Sequence, residues 1–492
     1  MFADCWEVRG SLKDGKITKQ IKDAIFSRLT SIPVVLSVTL VGSFVDRDNL
    51  AGISDIDTIV ICENLNDLVF KQCIERVTSI DISACGLHGY RLKINTSFGP
   101  LKLDEPKLAV IHLMIYDLEG HRKHVIASPF TCLDWERSEI FTGKKLRTIF
   151  PVGSLQPRDF VEARRGLGNY IDDLKNGVIS IRDYEFTDNI VSEAKRSHPL
   201  DDRHRGEYAY HIVRNLVLNG LKLMYGENKL YSSSELERGI EMLMDSKSSE
   251  HDEKFKQLSK LKNKRSIVYP EWTLSWVYKF VSDFQESFIS RWENAQTIYF
   301  IRHAQTVLND GTFLGQGRDP EILNTEHPEF QGNNIKTVYS SPAKRCVVTA
   351  KLIFPQVTIT KDNRLKEINY ASAEGMTFET LKIQHPKIID EWSKGKDPHF
   401  PDGGENTSGV LSRLNNFLGE ISGKIDGATV VMTHNVVLRC LIGEAHDIPQ
   451  QEWHLLSIPH AEPLEFKIMA GRLISNIPRS ELGNIFTALG KV

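Results

Sequence analysis

Apolar positions along the first 290 residues follow two different periodicities. Up to about residue 150, strand-like apolar runs such as 33–41 and 58–61 are separated by helical patterns, which is typical of an α/β segment. From residue 157 to about residue 292 turn signals are sparse. There, apolar residues at helical spacing run from Tyr208 to Gly226, and a glycine commonly ends a helix. This part of the chain is predicted to be helical.

Two further apolar runs, residues 297–301 and 428–433, predict buried strands in the last third of the chain. We therefore predict a multidomain α/β protein with an α/β unit in residues 1–150, a helical domain in 151–294 and a second α/β unit in 295–492. The polar segment 245–254 is predicted to be a mobile loop.

Composition limits the class of protein and its partners. A chain of 492 residues is too long for one hydrophobic core, and 41% hydrophobic residues, 25% charged residues and a net charge of -3 describe an ordinary globular chain. Without a basic surplus, no long nucleic acid is expected as a partner. No apolar run reaches the roughly 18 to 20 residues that span a bilayer, and the first residues lack a signal-peptide layout, so we expect a cytoplasmic protein without a membrane partner. A homo-oligomer is compatible with this composition.

The cysteines give no sign of a disulfide framework or a zinc site. All 7 are scattered and none is in a Cys-x-x-Cys spacing, so we expect reduced and mostly buried thiols.

A candidate phosphate site begins at Arg302 and His303. The pair follows the apolar run 297–301 directly, so both side chains are expected at the carboxyl end of a strand, where open α/β sheets place their ligand crevice. Further short motifs, or islands, follow in this order: Ser340-Ser341-Pro342-Ala343-Lys344-Arg345, Leu365-Lys366-Glu367, Glu374-Gly375, Pro401-Asp402-Gly403-Gly404-Glu405-Asn406 and Thr433-His434.

In this order the islands resemble the histidine phosphatase superfamily, in its phosphoglycerate mutase-like branch, over about residues 295 to 475. The resemblance implies a three-layer α/β/α domain. The stretch around Glu367 looks more like the phosphatases of the branch, such as the α-ribazole phosphatase type, which favours hydrolysis over mutase activity. Ala304 and Gln305 depart from the usual glycine and glutamate of the first motif.

The same residue types suit phosphoryl transfer. An imidazole near neutral pH is an adequate nucleophile, so His303 would carry the phosphoryl group as a covalent intermediate. Arg302, Arg345 and His434 would supply donors to the phosphoryl oxygens. Glu367 matches the position that the family uses as proton donor and acceptor, and no cofactor is expected for this domain.

A second candidate site lies in the first α/β unit. Gly42-Ser43 follows an apolar strand, and 12 residues after Ser43 come Asp55 and Asp57. Because residues two apart on a strand face the same side, both carboxylates can hold Mg²⁺, while the backbone around Gly42 and the Ser43 hydroxyl can hold a nucleoside triphosphate. The pattern resembles the nucleotidyltransferase signature of the DNA polymerase β-like superfamily.

That family usually adds a third carboxylate on a later strand, and three readings of this chain stay open. His112 is the central polar residue of the run 108–116 and could substitute for the acid. Asp117 or Asp104 could instead reach the site, or the site could bind without catalysing.

The leading functional hypothesis is a bifunctional small-molecule enzyme. Its N-terminal unit would transfer a nucleoside monophosphate from an NTP to a small acceptor with Mg²⁺, and its C-terminal unit would hydrolyse a small phosphorylated metabolite. The alternative is a phosphatase with an inactive, nucleotide-binding regulatory N-terminal domain. An RNA-modifying or interaction protein is disfavoured by the near-neutral charge.

Overall fold

The structure is a computed structural model that describes residues 11–46, 55–98, 107–187, 190–244, 248–263, 268–323, 330, 335–423 and 427–491. The chain divides into two compact units, one of Met1–Leu155 with Asp159–Ser290 and one of Gln156–Arg158 with Arg291–Val492. The three-domain boundaries at residues 150 and 294 stay a prediction.

The first unit contains seven described strands and twelve described helices, followed by a π-helical turn, Gln285–Ile289, and the short α13 (Ser290–Glu293). The strands are β1 (Val35–Val41), β2 (Ile56–Cys62), β3 (Arg91–Asn95), β4 (Leu108–Asp117), β5 (Phe141–Gly143), β6 (Val178–Thr187) and β7 (Ile190–Pro199). The helices are α1 (Ser11–Leu29), α2 (Ser43–Asp46), α3 (Asp67–Thr78), α4 (Leu118–Ala127), α5 (Pro129–Glu136), α6 (Leu146–Ile149), α7 (Asp159–Glu162), α8 (Leu167–Asn176), α9 (Asp202–Tyr225), α10 (Ser233–Met244), α11 (Ser248–Asn263) and α12 (Thr273–Phe284).

The sheet of the first unit has the strand order β3-β4-β2-β1-β5. Strand β4 runs parallel to β2 and β3, whereas β1 runs antiparallel to β2 and β5. Apolar residues of β1, β2 and β4 pack against buried positions of α1 and α3, such as Ile21, Ile25 and Cys73. The register sets Asp57 opposite His112 on β4 and opposite Val41 at the end of β1. The central strands therefore bring the two candidate motifs of this unit to one edge of the sheet.

The middle of the chain differs from the prediction in one element. It is mainly helical, and α9 ends as predicted, with Gly226 in the left-handed region at φ 71°. The prediction of a helical domain missed one element, because β6 and β7 form an antiparallel hairpin. The run from Val178 to Thr187 is rich in β-branched and aromatic residues, and Tyr184 and Phe186 pack on Phe70. These strand-favouring residues outweigh the helical pattern of the segments around them.

The predicted mobile loop at residues 245–254 is also wrong from Ser248 onward, where α11 begins. Its polar residues are spaced for pairs one helical turn apart. Lys254 Nζ donates to Glu250 Oε1 and Lys256 Nζ to Asp252 Oδ2, each at 2.6 Å. Residues 245–247 lie outside the described part of the chain.

The second unit is built on a six-stranded sheet with the order β10-β9-β11-β8-β12-β13. The strands are β8 (Gln296–Arg302), β9 (Ile335–Ser340), β10 (Ile359–Lys361), β11 (Ala428–Thr433), β12 (Pro463–Met469) and β13 (Arg472–Ser475). The helices are α14 (Lys344–Ile353), α15 (Phe378–Gln384), α16 (Pro386–Ser393), α17 (Thr407–Ile421), α18 (Asn435–Ala445) and α19 (Arg479–Ile485), with 3₁₀ turns at Asn363–Leu365, Ala371–Ala373, Gln450–Leu455 and Leu489–Lys491.

Strands β8, β9, β10 and β11 are parallel, so their carboxyl ends lie at the same edge of the sheet. Both apolar runs predicted as buried strands in this part of the chain, 297–301 and 428–433, are strands. Strand β12 is antiparallel to its neighbours β8 and β13, so its carboxyl end lies at the other edge.

Two expectations from composition can be compared with the described residues. The six described cysteines are free and buried, as predicted. None of the helices in the described part of the chain combines the length and the apolar character that a bilayer span requires.

Candidate functional site

Three parallel strands of the second unit end in polar residues that lie side by side. His303 follows β8, Ser341 follows β9 and His434 follows β11. Backbone hydrogen bonds continue past the strand ends, from His303 N to Thr433 O (3.1 Å) and from Ser341 N to Met432 O (2.9 Å). The predicted crevice at the carboxyl ends of these strands is therefore where Arg302, His303 and His434 are placed.

His303 is buried, with 2% of its surface exposed, and its ring is held in one tautomer. The Nδ1 atom lies 2.7 Å from the carbonyl oxygen of Ala304. Since a carbonyl can only accept, Nδ1 carries the proton and Nε2 keeps its lone pair. Burial, and then the charge of Arg345, lower the pKa of His303 well below its ordinary value. The ring is therefore neutral, and Nε2 keeps the lone pair that a nucleophile needs.

Arg345, on α14, has 1% of its surface exposed and makes contacts with every guanidinium nitrogen. Its Nε donates to His303 Nε2 at 3.3 Å and its Nη2 to His434 Nδ1 at 3.1 Å. The remaining contacts are to Gly315 O (2.9 Å), Arg318 O (2.9 Å) and Asp319 Oδ1 (3.1 Å). The guanidinium is thus fixed in orientation directly beside the candidate nucleophile.

His434 acts on the site through its neighbours. Because Nδ1 accepts from Arg345, its Nε2 donates to Ser341 Oγ at 2.8 Å. Burial, and then the charge of Arg345, lower the pKa of His434 well below its ordinary value. A neutral His434 in this tautomer supports Arg345, and its predicted role as a direct phosphate donor stays a prediction.

One N–H group of Arg302 lacks a hydrogen-bond acceptor among the described residues. Its Nη1 donates to Ile458 O at 2.7 Å, while its Nε is buried and has no hydrogen-bond partner among the described residues. Burial lowers the pKa of Arg302 to about 10, so the guanidinium is still charged near neutral pH. A buried and unpaired N–H of a cation is costly, and an anionic oxygen would satisfy it.

Glu367 has 6% of its surface exposed and is held by backbone amides. Its Oε1 accepts from Ile368 N at 3.0 Å and from Val436 N, in the first turn of α18, at 3.2 Å. Side chains from elsewhere hold its backbone carbonyl, since Gln316 Nε2 donates to it at 2.8 Å. The carboxyl group is therefore positioned rather than mobile.

Three further residues of this site were missed by sequence reasoning. Asp319 accepts from Arg345 and also from the backbone amides of residues 344 and 345, at 2.5 and 3.3 Å, at the beginning of α14. Gly315 supplies a carbonyl to Arg345. His460 lies with its ring centre 5.7 Å from that of His303, and its Nδ1 donates to the His303 carbonyl at 2.8 Å. All three lie on loops, where no periodicity marks them.

The first unit carries a second cluster, formed by Asp55, Asp57 and His112. Ligand atoms of the three side chains lie within 4.8 Å of one another. His112 Nδ1 is 2.8 Å from Asp57 Oδ1, and His112 Nε2 donates to Ser97 O at 2.7 Å. Burial opposes protonation of His112, but the hydrogen bond and charge of Asp57 outweigh it and raise the His112 pKa. The two predicted metal-binding carboxylates are thus brought together with a histidine.

The predicted nucleotide-binding residues lie next to this cluster. Gly42 has φ 74°, and a Cβ atom at this position would lie 2.5 Å from Asp57 Oδ2. Only glycine allows this approach of the backbone to the carboxylate. Ser43 begins the short helix α2, directly after Gly42.

The structure separates the three candidates for the third metal ligand. His112 lies in the cluster. Asp117 lies at the far end of β4, where its Oδ1 caps α4 by accepting from Gly120 N at 2.6 Å. Asp104 lies outside the described residues. Among the described candidates, only His112 is placed to act as the third ligand.

Comparison with known proteins agrees with the geometry of the second unit. The family model described as histidine phosphatase superfamily (branch 1) matches residues 298–474. This region contains Arg302, His303, Arg345, Glu367 and His434. The C-terminal region is thus a histidine phosphatase superfamily region, and the match and the geometry together support phosphoester hydrolysis of that type.

Two curated relatives align with the same part of the chain. Phosphoserine phosphatase 1 of Hydrogenobacter thermophilus is 27% identical over 157 residues, which cover 29% of this chain and 73% of the relative. Fructose-2,6-bisphosphatase of Saccharomyces cerevisiae is 27% identical over 194 residues, which cover 37% of this chain and 42% of the relative. The chain therefore spans less than half the length of this bisphosphatase.

Solved structures with similarity to this chain include two phosphatases. The alpha-ribazole phosphatase from Shigella flexneri is 18% identical with a TM-score of 0.33, and the match covers 37% of this chain and 95% of that one. The native structure of a mycobacterial glucosyl-3-phosphoglycerate phosphatase is 20% identical with a TM-score of 0.33, covering 37% of this chain and 98% of that one.

Proposed function

We propose that the second unit hydrolyses small phosphomonoesters through a phosphohistidine at His303. The observation that carries the proposal is the fixed tautomer of His303, whose Nε2 lone pair faces the guanidinium of Arg345. A phosphoryl group bound by Arg345 would meet the nucleophilic nitrogen.

The reaction would proceed in two steps. In the first, Nε2 of His303 forms a bond to phosphorus while the bond from phosphorus to the alcohol oxygen breaks, and a protonated Glu367 donates its proton to that oxygen. In the second, Glu367 accepts a proton from water as the water oxygen attacks phosphorus, and the bond to His303 breaks to release inorganic phosphate. Arg302 and Arg345 would neutralise charge on the phosphoryl oxygens in both steps.

The relatives support a small substrate. Those named above are a phosphatase of phosphoserine and a bisphosphatase of a sugar. Both names describe compact phosphate esters, and a phosphomonoesterase of small metabolites is the corresponding proposal for this chain.

The test is turnover of a phosphomonoester panel by the full chain and by the His303→Ala variant. The proposal predicts phosphate release by the native chain and loss of release in the variant. Exposed His88 in the first unit provides a matched control, because His88→Ala should keep full activity. Equal turnover by the native chain and His303→Ala would overturn the assignment of the nucleophile.

We propose nucleotidyl transfer as a second activity, carried by the first unit. The observation that favours it is the convergence of Asp55, Asp57 and His112 next to Gly42. The fusion to a nucleotidyltransferase of the DNA polymerase β-like type and the bifunctional assignment rest on this geometry and on the sequence resemblance.

The donor set fits a divalent metal ion. Asp55 and Asp57 offer carboxylate oxygens, which Mg²⁺ prefers. The Nε2–H of His112 is held by the carbonyl of Ser97, as in histidines that ligate metals, so Nδ1 is directed at the cluster. A bound Mg²⁺ would neutralise the triphosphate and the leaving pyrophosphate. Gly42 and Ser43 would hold the triphosphate.

The alternative, a regulatory domain that binds a nucleotide without transfer, is favoured by the histidine in place of a third carboxylate. The double variant Asp55→Ala with Asp57→Ala separates the two. Transfer predicts pyrophosphate release by the native chain with a suitable acceptor, its loss in the double variant, and unchanged phosphatase turnover. Binding of Mg-NTP without pyrophosphate release would favour the regulatory domain.

A further inference from the structure

The first unit contains a partly open cavity of about 770 Å³ that reaches far beyond Asp55, Asp57 and His112, which we call the metal cluster. Its lining includes Gly42, Asp57 and His112, together with residues of α8, α9 and β6. This volume lies in the range of small-molecule sites and leaves room for a second substrate beside a nucleotide.

The lining of this cavity also contains an arginine cluster, which we define as Arg164, Arg165 and Arg182. Glu193 is the acid that pairs with it, at 3.0 Å from Arg164 Nη1 and 3.7 Å from Arg182 Nη1. Arg165 has no acidic partner in the part of the chain that the structure describes. Two of the three cations therefore share one described carboxylate and the third has none, which gives the cluster excess positive charge.

The charges within the arginine cluster affect one another. Burial, and then the charge of Arg164, lower the pKa of Arg182. Burial opposes ionisation of Glu193, but its contact with His124 and the charge of Arg164 lower the Glu193 pKa to about 2. The one carboxylate is thus already fully ionised, and an added anion would relieve the remaining repulsion.

Hydrogen bonds of the backbone connect the arginine cluster to the metal cluster. Ser97 O accepts from His112, and the next residue, Phe98, exchanges two backbone hydrogen bonds with Arg182, of 2.7 and 2.8 Å. In the sheet order, His112 lies on β4 and Gly42 follows β1, with β2 and Asp57 between them. The arginine cluster and the Gly42-Ser43 turn therefore lie on opposite sides of the metal cluster.

Arg165 is also held in an uncommon backbone conformation. Its φ is 60°, and its amide donates to Asn169 Oδ1 at 3.3 Å. A non-glycine residue in the left-handed region costs free energy, and such residues are found preferentially at ligand sites. This conformation holds a cation without an acidic partner in the wall of the cavity.

We propose that the arginine cluster binds the phosphate group of the acceptor, so that the substrate of the transferase is a phosphorylated alcohol. The proposal rests on the nucleotidyl transfer proposed above. The acceptor hydroxyl oxygen forms a bond to the α-phosphorus of the NTP, the bond from that phosphorus to the pyrophosphate oxygen breaks, and the hydroxyl proton passes to solvent. The triphosphate, held at Gly42 and Ser43, and the acceptor phosphate, held at Arg165, would flank the metal cluster.

The test is isothermal titration of the full chain carrying His303→Ala, which prevents turnover, with glycerol 3-phosphate as the probe and glycerol as the uncharged control. Two binding equivalents are expected, one at the arginine cluster and one at Arg302 and Arg345 in the second unit. Adding Arg165→Ala should weaken one equivalent about tenfold or more, the loss of a hydrogen bond between charged groups. Arg165→Lys should restore part of the affinity. Arg205→Ala, which changes an exposed residue of α9, should leave the affinity of both equivalents unchanged.

A parallel titration with Mg-NTP tests whether Arg165 binds the triphosphate of the NTP instead of the acceptor phosphate. The proposal predicts that Arg165→Ala leaves NTP affinity within about twofold. A tenfold loss of NTP affinity would assign Arg165 to the triphosphate and overturn the proposal. The proposal would also be overturned if both glycerol 3-phosphate equivalents kept their affinity in the Arg165→Ala variant. Absence of pyrophosphate release with every acceptor, while the second equivalent persists and depends on Arg165, would instead refute nucleotidyl transfer and leave an anion site.

Discussion

The Nε atom of Arg345 donates to the Nε2 atom of His303 across 3.3 Å, between the first turn of α14 and the end of β8. The same guanidinium reaches His434 and Asp319. One buried cation therefore joins the nucleophile to the residue that follows β11 and to the loop after β8. Its hydrogen bond uses the lone pair that would attack phosphorus, so a bound phosphate oxygen would have to take over that hydrogen bond.

Replacement of Arg345 by lysine should lower kcat/KM for a phosphomonoester by about 10²- to 10³-fold, because an ammonium group cannot reproduce the fixed, planar set of donors that the guanidinium holds beside His303. Initial-rate kinetics with the full chain measure the effect. Lys344→Ala, at the exposed neighbouring position, serves as the control and should keep native kinetics. A loss below about threefold in Arg345→Lys would contradict a role in transition-state stabilisation.

Replacement of His112 by alanine should weaken Mn²⁺ binding by the full chain about tenfold or more, because one of three ligands is removed. His112→Asp should bind Mg²⁺ better than the native chain does, since a carboxylate replaces an imidazole. Calorimetric titration and the electron paramagnetic resonance signal of free Mn²⁺ both report binding without any need for turnover. Native-like metal affinity in His112→Ala would show that the histidine is not a ligand.

Acid should destabilise the second unit in a way that depends on His446. Burial, and then the charge of Arg479, lower the pKa of His446 from 6.5 to about 3. The unfolded state therefore binds a proton that the folded state excludes. The associated stability is fully present above pH 6.5 and is lost as the pH falls below 6.5 toward 3. Between about pH 7.5 and about pH 5 this amounts to about 2 kcal/mol.

The His446→Leu variant should show a smaller loss of unfolding free energy over the same pH range, by about 2 kcal/mol. Scanning calorimetry of the full chain, read at the transition of the second unit, measures this difference. His88→Leu, at an exposed site, should leave the pH dependence unchanged. A pH dependence in His446→Leu that matches the native chain would refute the proton exclusion at His446.

The sequence locates three residues of the candidate phosphatase site because each follows a strand or lies in the first turn of a helix. His303 and His434 come directly after apolar runs, and Arg345 lies in the first turn of a helix after such a run. Strand periodicity therefore locates their backbones, and the parallel sheet brings them together. Asp319 and His460 lie on irregular loops, and their positions depend on contacts from far along the chain.

The first unit shows a different limit of sequence reasoning. Asp117 and His112 lie on the same strand, and an acid would have been the expected ligand. The strand geometry decides otherwise, because the register sets His112 opposite Asp57, whereas Asp117 ends the strand and caps α4. The residue type alone does not show which residue of β4 lies opposite Asp57 on the neighbouring strand.

Trapping of the phosphoenzyme tests the central claim most directly. The full chain is mixed with p-nitrophenyl phosphate, quenched in alkali and digested, and the peptides are searched by mass spectrometry for acid-labile phosphate. A phosphoryl group on His303, absent from the His303→Ala variant together with turnover, is the predicted result. Phosphate found on another residue, or turnover retained without His303, would contradict it.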